Sequence, residues 1–477
     1  MSSITFLLNG EKTSVSQQPP TTTVLNWLRE QAGLTGTKEG CAEGDCGACT
    51  VVLGSSTRGQ MHWQAVNGCL LTLGQIDGKA LKTVEGLGTP EGALHPVQQA
   101  MVDGDGTQCG FCTPGFIMSM YAFAEGGEPA EDNLIHEALA GNLCRCTGYR
   151  PIIDACRDIA QIKTGDDSQA AAAQSGLKPS ASLRTGDHLF LAPASSRELG
   201  IAMNNHPRAR LLAGGTDMGL EFSKKGATPP VVISVAHVRE MRDVEQTADT
   251  LTFGAAVTYS ELLPYLDQFA PAFGDLLRRI GSRQIRNLGT VGGNLVTASP
   301  IGDTLPCLMA LEASVMLRSS HTVRSMMVSD FITGYRETAL MQGEFVESIS
   351  IPVPTAGARF AAYKISRRFD QDISAVVAAY LLCLEDGRVR ELRACYGGVG
   401  ATTIRATKLE QAVTGRRWTA ETVAAGMTAL AEDISPMDDF RATAAYRNRV
   451  AANLLQRFHA ETTETMAGGN PVRLEAL

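Results

Sequence analysis

The chain has 477 residues, 44% of them hydrophobic, and a formal net charge of −8. This length predicts about three or four domains. The acidic balance, with no basic patch, argues against nucleic acid or an anionic membrane surface as partner. No apolar run approaches the ~20 residues of a transmembrane helix. The first residues lack a signal-peptide pattern, so we expect a cytoplasmic protein, in which clustered cysteines are ligands rather than disulfides.

The N-terminal third predicts a small sheet followed by a helical region. Residues 4–8 and 11–15 are predicted to form a β-hairpin, because Asn9-Gly10 supplies the positive φ angles of a type I′ turn. Thr22 or Thr23 is predicted to cap a short helix. A cysteine loop, a strand at residues 50–53 and extended segments follow. From about residue 95 to 163 the pattern is helical, with Pro114 and Pro151 in first-turn positions.

The remainder of the chain predicts an α+β architecture. Residues 164–187 are rich in alanine, serine, glycine and charge, which is typical of a flexible linker. Short β-like runs at residues 210–213, 231–235 and 251–257 then alternate with glycine turns and helices. The last segment has strands at 375–384 and 391–396, followed by two helical stretches. The fold class is therefore multidomain α+β.

Eight of the twelve cysteines form two quartets within the first 146 residues: Cys41, Cys46, Cys49 and Cys69, then Cys109, Cys112, Cys144 and Cys146. The first begins with the C-x4-C-x2-C spacing of a plant-type [2Fe–2S] site. The second reads C-x2-C and, later, C-x-C. Glycines beside the first quartet and helix N-termini after Cys112 and Cys146 would stabilise an anionic cluster. The pattern predicts two electron-carrying centres in tandem.

Structural zinc is the alternative for the quartets, because it also takes four cysteines. It is less compatible with the first quartet, which lacks a second CxxC pair, than with the second. A zinc-stabilised interaction module is thus the alternative from another class. Four single cysteines are predicted to be buried and unreactive: Cys156, Cys307, Cys383 and Cys395.

Two glycine turns in the second half predict phosphate binding. Residues 211–217 run from a strand into Gly214-Gly215, and residues 288–294 repeat this pattern. Successive N–H groups in such a turn form a nest for phosphate. Each turn alone is more often a plain tight turn, so the prediction depends on the two turns occurring as a pair. Neither has the GxGxxG pattern of a Rossmann fold. The charged stretches 282–286 and 364–372 are either solvated loops or charges beside a redox-active ring.

Together these motifs resemble those of the iron–sulfur and FAD subunits of bacterial xanthine dehydrogenases, in the molybdenum hydroxylase family. Residues 36–49 resemble the family's ferredoxin-type site, and residues 108–115 with 141–149 resemble its second, helical-bundle site. Residues 213–217, 289–294 and 298–303 resemble its FAD domain. The resemblance covers nearly the whole chain.

The resemblance implies a β-grasp ferredoxin-like domain at residues 1–85, a helical [2Fe–2S] domain at 90–163, the linker at 164–187, an FAD-binding α+β domain at 188–357 and a C-terminal α+β domain at 362–470. It implies that the eight clustered cysteines hold two [2Fe–2S] clusters. The implied FAD contacts are Leu211, Leu212, Ala213, Gly214, Gly215, Thr216, Asp217, Met218, Thr290, Gly292, Gly293, Asn294, Asp303, Val346, Lys364 and Asp370. One departure is Ile280, where many relatives have an aromatic residue.

The resemblance also implies a function. Hypoxanthine and xanthine would be oxidised to urate at a molybdenum cofactor on a separate large molybdopterin-binding subunit, within a dimer of heterodimers. Electrons would pass from the second quartet's cluster to the first, then to FAD and NAD⁺. No catalytic acid or base is expected on this chain. The alternatives are an aldehyde or other N-heterocycle hydroxylase, a carbon monoxide dehydrogenase relative, and a free-standing NADH–acceptor reductase.

Overall fold

The computed structural model describes residues 3–88, 92–160, 162 and 168–466. These form two compact units: one comprises the chain up to Val238 together with Gly281–Gly289, and the other comprises Arg239–Ile280 and the chain from Thr290 onward. Helices and sheets occur in both, which confirms the predicted α+β class. Among the described residues, no helix combines the length and hydrophobicity needed to cross a membrane.

The first unit begins with a five-stranded sheet. Its strands lie in the order Glu11–Val15, Ile4–Leu8, Ala80–Lys82, Thr50–Thr57 and Gln60–Asn67. The predicted hairpin is confirmed, with Ile4 opposite Val15. The predicted helix is confirmed as Val24–Glu30, and the hydroxyl of Thr23 caps it by accepting a hydrogen bond from the Asn26 N–H at 3.2 Å.

Four helices form the predicted helical region of the first unit: Pro96–Asp103, Thr113–Glu125, Asp132–Leu139 and Arg150–Ile159. Pro114 and Pro151 lie in first turns, as predicted. The helices share a core that includes Phe116 and Ile135, and Val52 of the five-stranded sheet packs into this core. The helical region is therefore fixed against the sheet.

A four-stranded sheet completes the first unit. Its strands lie in the order Ser182–Thr185, His188–Leu191, Val231–Ser234 and Arg210–Leu212, with the last three parallel. Helices Ser196–Asn205 and Gly219–Ser223 occur in this part of the chain, and helix Arg283–Arg286 of the same unit packs on strand Gln60–Asn67 of the five-stranded sheet. Phe190 and Leu212 belong to the same core as Phe6 and Trp27, so both sheets of this unit share one core.

The second unit begins with a five-stranded antiparallel sheet. The strand order is Val244–Gln246, Thr250–Gly254, Phe345–Pro352, Ser314–Arg318 and Val323–Met327. The accompanying elements are helices Tyr259–Phe269, Pro271–Arg278, Val291–Thr297, Thr304–Ala310 and Val328–Phe331, and the paired strands Ile332–Gly334 and Glu337–Thr338. The sheet core includes Leu251, Val315 and Ile349, which are fully buried.

The second unit ends in an antiparallel sheet of strands Arg359–Ile365, Val376–Glu385, Arg388–Gly397 and Ile404–Arg405. Three helices pack with it: Thr407–Val413, Ala420–Leu430 and Ala444–Met466. Tyr380 stacks on Phe458 with ring centroids 4.9 Å apart. The sequence predicted only two helical stretches, because a helix as short as Thr407–Val413 leaves too little periodic pattern.

The predicted linker is more structured than expected. Its residues 164–167 lie outside the described residues, but helix Ser168–Ser175 and strand Ser182–Thr185 occupy much of the rest. Gln174 donates from its amide to the Gly78 carbonyl at 2.6 Å and accepts from the Ser56 N–H at 2.9 Å. These hydrogen bonds, together with the high helix propensity of alanine, stabilise a helix that has little large apolar surface.

Candidate iron–sulfur centres and flavin-binding turns

The first cysteine quartet divides into two pairs of thiols. The Cys46 thiol lowers the pKa of Cys41 to about 5 by hydrogen bonding, and the same interaction raises the pKa of Cys46. The Cys69 thiol lowers the pKa of Cys49 in the same way, while its own pKa rises. All four sulfur atoms are therefore close enough to influence one another, in the pairs Cys41–Cys46 and Cys49–Cys69.

Backbone donors surround the first pair. The N–H groups of Glu43 and Cys46 each lie 3.4 Å from the Sγ of Cys41. A Cβ atom at Gly40 would lie 2.7 Å from the Sγ of Cys46, so the glycine leaves room beside that thiol. These features stabilise negative charge on sulfur, as an anionic cluster requires.

The second quartet also divides into pairs. The Sγ atoms of Cys109 and Cys146 are 3.5 Å apart. The pKa of Cys109 is lowered by the Phe111 N–H and by the Cys146 thiol. Burial and the Cys144 thiol raise the pKa of Cys112 to about 12. The pairs are thus Cys109–Cys146 and Cys112–Cys144.

Helix N-termini accompany the second quartet, as predicted. Helix Thr113–Glu125 begins directly after Cys112. Tyr149, the N-cap residue of helix Arg150–Ile159, accepts a hydrogen bond on its hydroxyl from the Cys144 N–H at 2.9 Å. Burial raises the pKa of Cys144, but hydrogen bonds from the side chain and backbone of nearby residues outweigh it and lower the pKa to about 7.

The arrangement of the thiols in pairs can be compared with the ligand geometry of zinc and of a two-iron cluster. A structural zinc ion needs four ligands at about 2.0–2.3 Å from one centre. A [2Fe–2S] cluster distributes four thiolates over two irons, which matches two pairs of thiols. The pairing of the thiols in both quartets is therefore compatible with a two-iron cluster.

The two quartets differ in exposure. Cys49 and Cys69 are 2% and 1% exposed. Cys109 and Cys146 are both exposed. Cys41, Cys46 and Cys112 are intermediate in exposure, and Cys144 is buried. The first quartet is therefore the more buried of the two, and the second has one exposed pair.

The four single cysteines, Cys156, Cys307, Cys383 and Cys395, are buried, which confirms that part of the prediction. Burial raises the pKa of Cys156 to about 12 and raises the pKa of Cys395 and Cys307 as well. Thiols in this state are poor nucleophiles and ligands, since the thiolate is the reactive form.

The first glycine turn presents free backbone donors. It follows strand Arg210–Leu212 and turns at Gly215, whose φ is +79°. Among the described residues, no acceptor pairs with the N–H groups of Gly214, Gly215 and Thr216. Three successive free N–H groups are compatible with the predicted phosphate nest, and the role of the turn stays a prediction.

Two contacts hold this turn in place. A Cβ atom at Gly214 would lie 1.7 Å from the Leu288 carbonyl oxygen, so this close approach requires glycine. The Gln75 amide donates to the carbonyls of Ala213 and Gly214, at 3.3 Å each. Sequence analysis missed Gln75, because the contact joins residues far apart in the chain and no local pattern marks it.

The second glycine turn differs from the prediction. Thr290 is the N-cap of helix Val291–Thr297, and its hydroxyl accepts the Gly293 N–H at 2.9 Å. A Cβ atom at Gly292 would lie 2.4 Å from the Ala255 carbonyl oxygen. Asn294 accepts a hydrogen bond from Thr304 at 2.6 Å. The segment is therefore a capped helix start packed closely on its surroundings, and not a second loop nest.

Asp303 and Lys364 form a buried ion pair in the second unit. Lys364 Nζ lies 2.8 Å from Asp303 Oδ2 and donates to the Arg279 carbonyl at 2.8 Å. The Ser374 hydroxyl donates to Asp303 Oδ1 at 2.6 Å. The structure thus brings two predicted cofactor residues together and adds Arg279 and Ser374, which sequence analysis missed.

The charged stretch after Lys364 is an ordered loop. Asp372 Oδ2 accepts the N–H groups of Arg367 and Arg368 at 2.8 and 2.9 Å. Burial raises the pKa of Asp372, but these hydrogen bonds outweigh it, so the pKa is lowered. Asp370 is exposed on the same loop. The loop therefore presents charge to solvent from a hydrogen-bonded frame.

The predicted flavin contacts are divided between the two units. Leu211, Leu212, Ala213, Gly214, Gly215, Thr216, Asp217 and Met218 belong to the first unit, and Thr290, Gly292, Gly293, Asn294, Asp303, Val346, Lys364 and Asp370 belong to the second. Val346 is 3% exposed and lies opposite Leu317 in the sheet. Ile280 is partly buried. Their roles toward a flavin remain predictions.

Models of known families match four successive stretches of the chain. They are the 2Fe-2S iron-sulfur cluster binding domain at residues 6–71, the [2Fe-2S] binding domain at 83–157, the FAD binding domain in molybdopterin dehydrogenase at 183–354, and the CO dehydrogenase flavoprotein C-terminal domain at 361–462. The chain belongs to the molybdenum hydroxylase family. The predicted order of two iron–sulfur domains followed by flavin domains is confirmed.

Curated relatives are larger molybdenum hydroxylases. The chain is 32% identical to xanthine dehydrogenase/oxidase of Gallus gallus, over 92% of this chain and 39% of that protein. It is 33% identical to the Mus musculus protein of the same name, over 90% and 37%. It is 32% identical to aldehyde oxidase 2 of Cavia porcellus, over 88% and 36%. The chain thus spans less than two fifths of these relatives.

Solved structures match a smaller share of this molybdenum hydroxylase chain. A chain of carbon monoxide dehydrogenase from Hydrogenophaga pseudoflava, in a form lacking the Mo-pyranopterin moiety, has a TM-score of 0.54 and 26% identity, covering 56% of this chain and 94% of that chain. A chain of quinoline 2-oxidoreductase from Pseudomonas putida 86 has a TM-score of 0.54 and 26% identity, covering 58% and 96%.

Proposed function

We propose that this chain is the iron–sulfur and FAD subunit of a xanthine dehydrogenase. In this proposal, a separate large subunit holds a molybdenum cofactor and oxidises hypoxanthine and xanthine to urate. This chain carries the electrons away, and NAD⁺ is the final acceptor. Support comes from xanthine dehydrogenases that match about nine tenths of the chain but extend well beyond it.

The observation that carries the relay is the pairing of both thiol quartets together with their unequal exposure. A relay needs one centre that a partner can approach and another that is enclosed near the next carrier. Cys109 and Cys146 are exposed, whereas Cys49 and Cys69 are buried. We therefore assign the second quartet to the side of the molybdenum subunit and the first to the flavin side.

The residues of this chain bind and tune the cofactors. The clusters supply one-electron transfer, and FAD supplies exchange between one-electron and two-electron chemistry. The eight clustered cysteines hold the irons, and the N–H groups beside Cys41 stabilise charge on its sulfur. The free N–H groups of Gly214, Gly215 and Thr216 bind the FAD pyrophosphate.

Two further features belong to the flavin and acceptor side of the proposal. Asp303 and Lys364 lie 2.8 Å apart as a buried ion pair. They orient the residues packed around them rather than donate protons. The loop that carries Asp370 presents exposed charge where NAD⁺ would approach. No residue of this chain is assigned as a catalytic acid or base.

An aldehyde hydroxylase is the second candidate, because aldehyde oxidase 2 of Cavia porcellus matches about as well as the xanthine dehydrogenases. The carbon monoxide and quinoline enzymes are less favoured. Their matched chains are almost wholly covered yet reach only 56% and 58% of this chain. In this chain the iron–sulfur and flavin domains are fused. The match to xanthine dehydrogenase/oxidase accordingly covers 92% of the chain.

The test is an assay of the chain co-expressed with its large subunit. We expect xanthine-dependent formation of NADH and a complex whose mass fits two copies of each subunit. Hypoxanthine should also react, while aldehydes, quinoline and carbon monoxide serve as competing substrates, and O₂ as competing acceptor. Turnover of an aldehyde with xanthine inert would contradict the substrate assignment, and full activity of this chain alone would contradict the need for a partner.

A further inference from the structure

Helix Arg283–Arg286 connects the flavin-type sequence to both iron–sulfur regions. It lies in the stretch matched by the FAD-binding model, yet it packs within the first unit. Ile285 packs against the buried Cys49 and Cys69 of the first quartet. Arg286 is 2% exposed and pairs with Glu137 of the helical region at 2.7 Å. This short helix therefore contacts the surroundings of both cysteine sites.

Gln284 reaches between the two ligand loops. Its side chain is fully buried. Its Nε2 donates to Asn142 Oδ1 at 2.9 Å and to Ser119 Oγ at 3.1 Å. Asn142 Nδ2 in turn donates to the Gly47 carbonyl at 3.0 Å. Two amides thus form a chain of hydrogen bonds that ends on the backbone of the first ligand loop.

The direction of this chain follows from its last member. A carbonyl oxygen only accepts, so Asn142 must direct its NH₂ group to Gly47 and its Oδ1 toward Gln284. Gln284 must then direct its own NH₂ group to Asn142. Its Oε1 finds no hydrogen-bond partner among the described residues. A buried acceptor without a hydrogen-bond partner is unfavourable. The stabilising hydrogen bonds of Gln284 are therefore those that its NH₂ group donates.

The two ligand loops touch at the position that Gln284 supports. The Leu143 N–H donates to the Cys46 carbonyl at 2.9 Å. Cys46 belongs to the first quartet, and Leu143 directly precedes Cys144 of the second. Gly47 has a φ of +67°, and a Cβ atom there would lie 2.2 Å from the Gly141 carbonyl oxygen. A Cβ atom at Gly141 would lie 1.9 Å from Gln284 Oε1. Close packing therefore leaves the loops little freedom while the amide chain is intact.

We propose that Gln284 is a positioning residue that sets the separation of the two ligand loops and, through it, the coupling between the two iron–sulfur clusters. The inference rests on the proposed relay and deepens it. The amide holds Gly47, which lies between two thiols of the first quartet, against Asn142, which precedes Cys144 of the second. Gln284 donates to Asn142, Ser119 and Thr50, and we assign its effect to the contact with Asn142.

The decisive variant is Gln284→Met, which keeps the length of the side chain but removes its donors. The readout is low-temperature electron paramagnetic resonance of the fully reduced chain, in which two nearby paramagnetic clusters split each other's signals. We expect both signals to persist and the mutual splitting to be lost. Hydrogen exchange at the Leu143 amide should become about tenfold faster, because the loop contact is weakened.

Arg283→Lys is the matched control. Arg283 lies in the same helix and pairs with Glu128, but it takes no part in the amide chain. This variant should keep the wild-type splitting. If Gln284→Met does not fold, Gln284→Glu replaces the donors by a carboxylate of the same size and should also lose the splitting.

Two results would overturn the inference while leaving the relay intact: both cluster signals with unchanged splitting in the folded variant, or both signals without splitting in the wild type. Failure of the proposed function looks different. In that case the reduced wild-type chain would show no iron–sulfur signal.

Discussion

Cys49 is the residue whose replacement separates the two sites most clearly. It is 2% exposed, and its partner thiol is Cys69. We expect Cys49→Ser to remove the signal of one iron–sulfur cluster and about half of the bound iron, because each [2Fe–2S] cluster depends on its own four thiolates. Electron paramagnetic resonance and iron analysis measure this. Cys156→Ala, at a buried cysteine outside both quartets, should retain both signals, and loss of zinc without change in iron would contradict the assignment.

Lys364 tests the buried ion pair. Lys364→Met leaves the carboxylate of Asp303 buried without its counter-charge, so we expect the free energy of unfolding to fall by about 3–5 kcal/mol in urea titrations. The double variant with Asp303→Asn should recover much of this loss. Arg368→Met, at an exposed pair with Asp372, should cost less than about 1 kcal/mol. Equal losses of unfolding free energy in Lys364→Met and Arg368→Met would contradict the larger effect expected for the buried pair.

His95 gives a pH prediction. Burial and the charge of Lys82 lower the pKa of His95, and its ring accepts the Val97 N–H as the cap of helix Pro96–Asp103. The unfolded chain therefore binds the proton more readily, and stability falls as the pH drops through about 6.5. Asparagine also caps helices, so His95→Asn should give a shallower fall in melting temperature between about pH 7.5 and 5.5. A slope identical to that of the wild type would contradict this role.

At the scale of elements, the first glycine turn is the clearest test of the flavin site. A methyl group at Gly214 would overlap the Leu288 carbonyl, which is backbone and cannot rotate away. We expect Gly214→Ala to lose bound FAD and about 1–3 kcal/mol of stability. Gly400→Ala is the control, because a Cβ atom there meets nothing closer than 3.7 Å. Flavin absorbance per chain and thermal unfolding measure both, and full FAD retention by Gly214→Ala would contradict the site.

Elements whose signals are local were predictable from sequence. The hairpin around Asn9-Gly10, the Thr23 cap and the first-turn prolines follow from turn and cap chemistry within a few residues. The helix at Ser168–Ser175 was not, because Gln174 anchors it to distant backbone and not to an apolar face. Local composition carries no information about such contacts.

In the candidate sites as well, residues with local sequence signals were predictable, and residues with long-range contacts were not. Cysteine spacing predicted both quartets, since the ligands of each site lie largely on short loops. Gln75 was missed, and the contact of Asn142 with Gly47 was not predicted, because these contacts join residues far apart in the chain. The second glycine turn was misread because Thr290 forms a cap with the Gly293 N–H, and a nest and a capped helix start share the same glycine-rich pattern.

At the scale of the whole molecule, the two compact units divide the chain differently from the predicted domains, whose limits stay predictions. The predicted FAD domain at residues 188–357 contributes to both units, and Gly281–Gly289 belongs with the iron–sulfur part. A flavin domain that supplies buried residues to the iron–sulfur region is suited to a relay in one chain. We therefore expect iron–sulfur content and flavin content to be lost together when helix Arg283–Arg286 is disrupted.

The most direct measurement of the central claim is an anaerobic reductive titration of the purified chain, with iron, sulfide and flavin analysis of the same sample. Two [2Fe–2S] clusters and one FAD predict about four iron ions, about four acid-labile sulfides and about four electrons accepted per chain. A colourless chain that contains zinc and accepts no electrons would contradict the account.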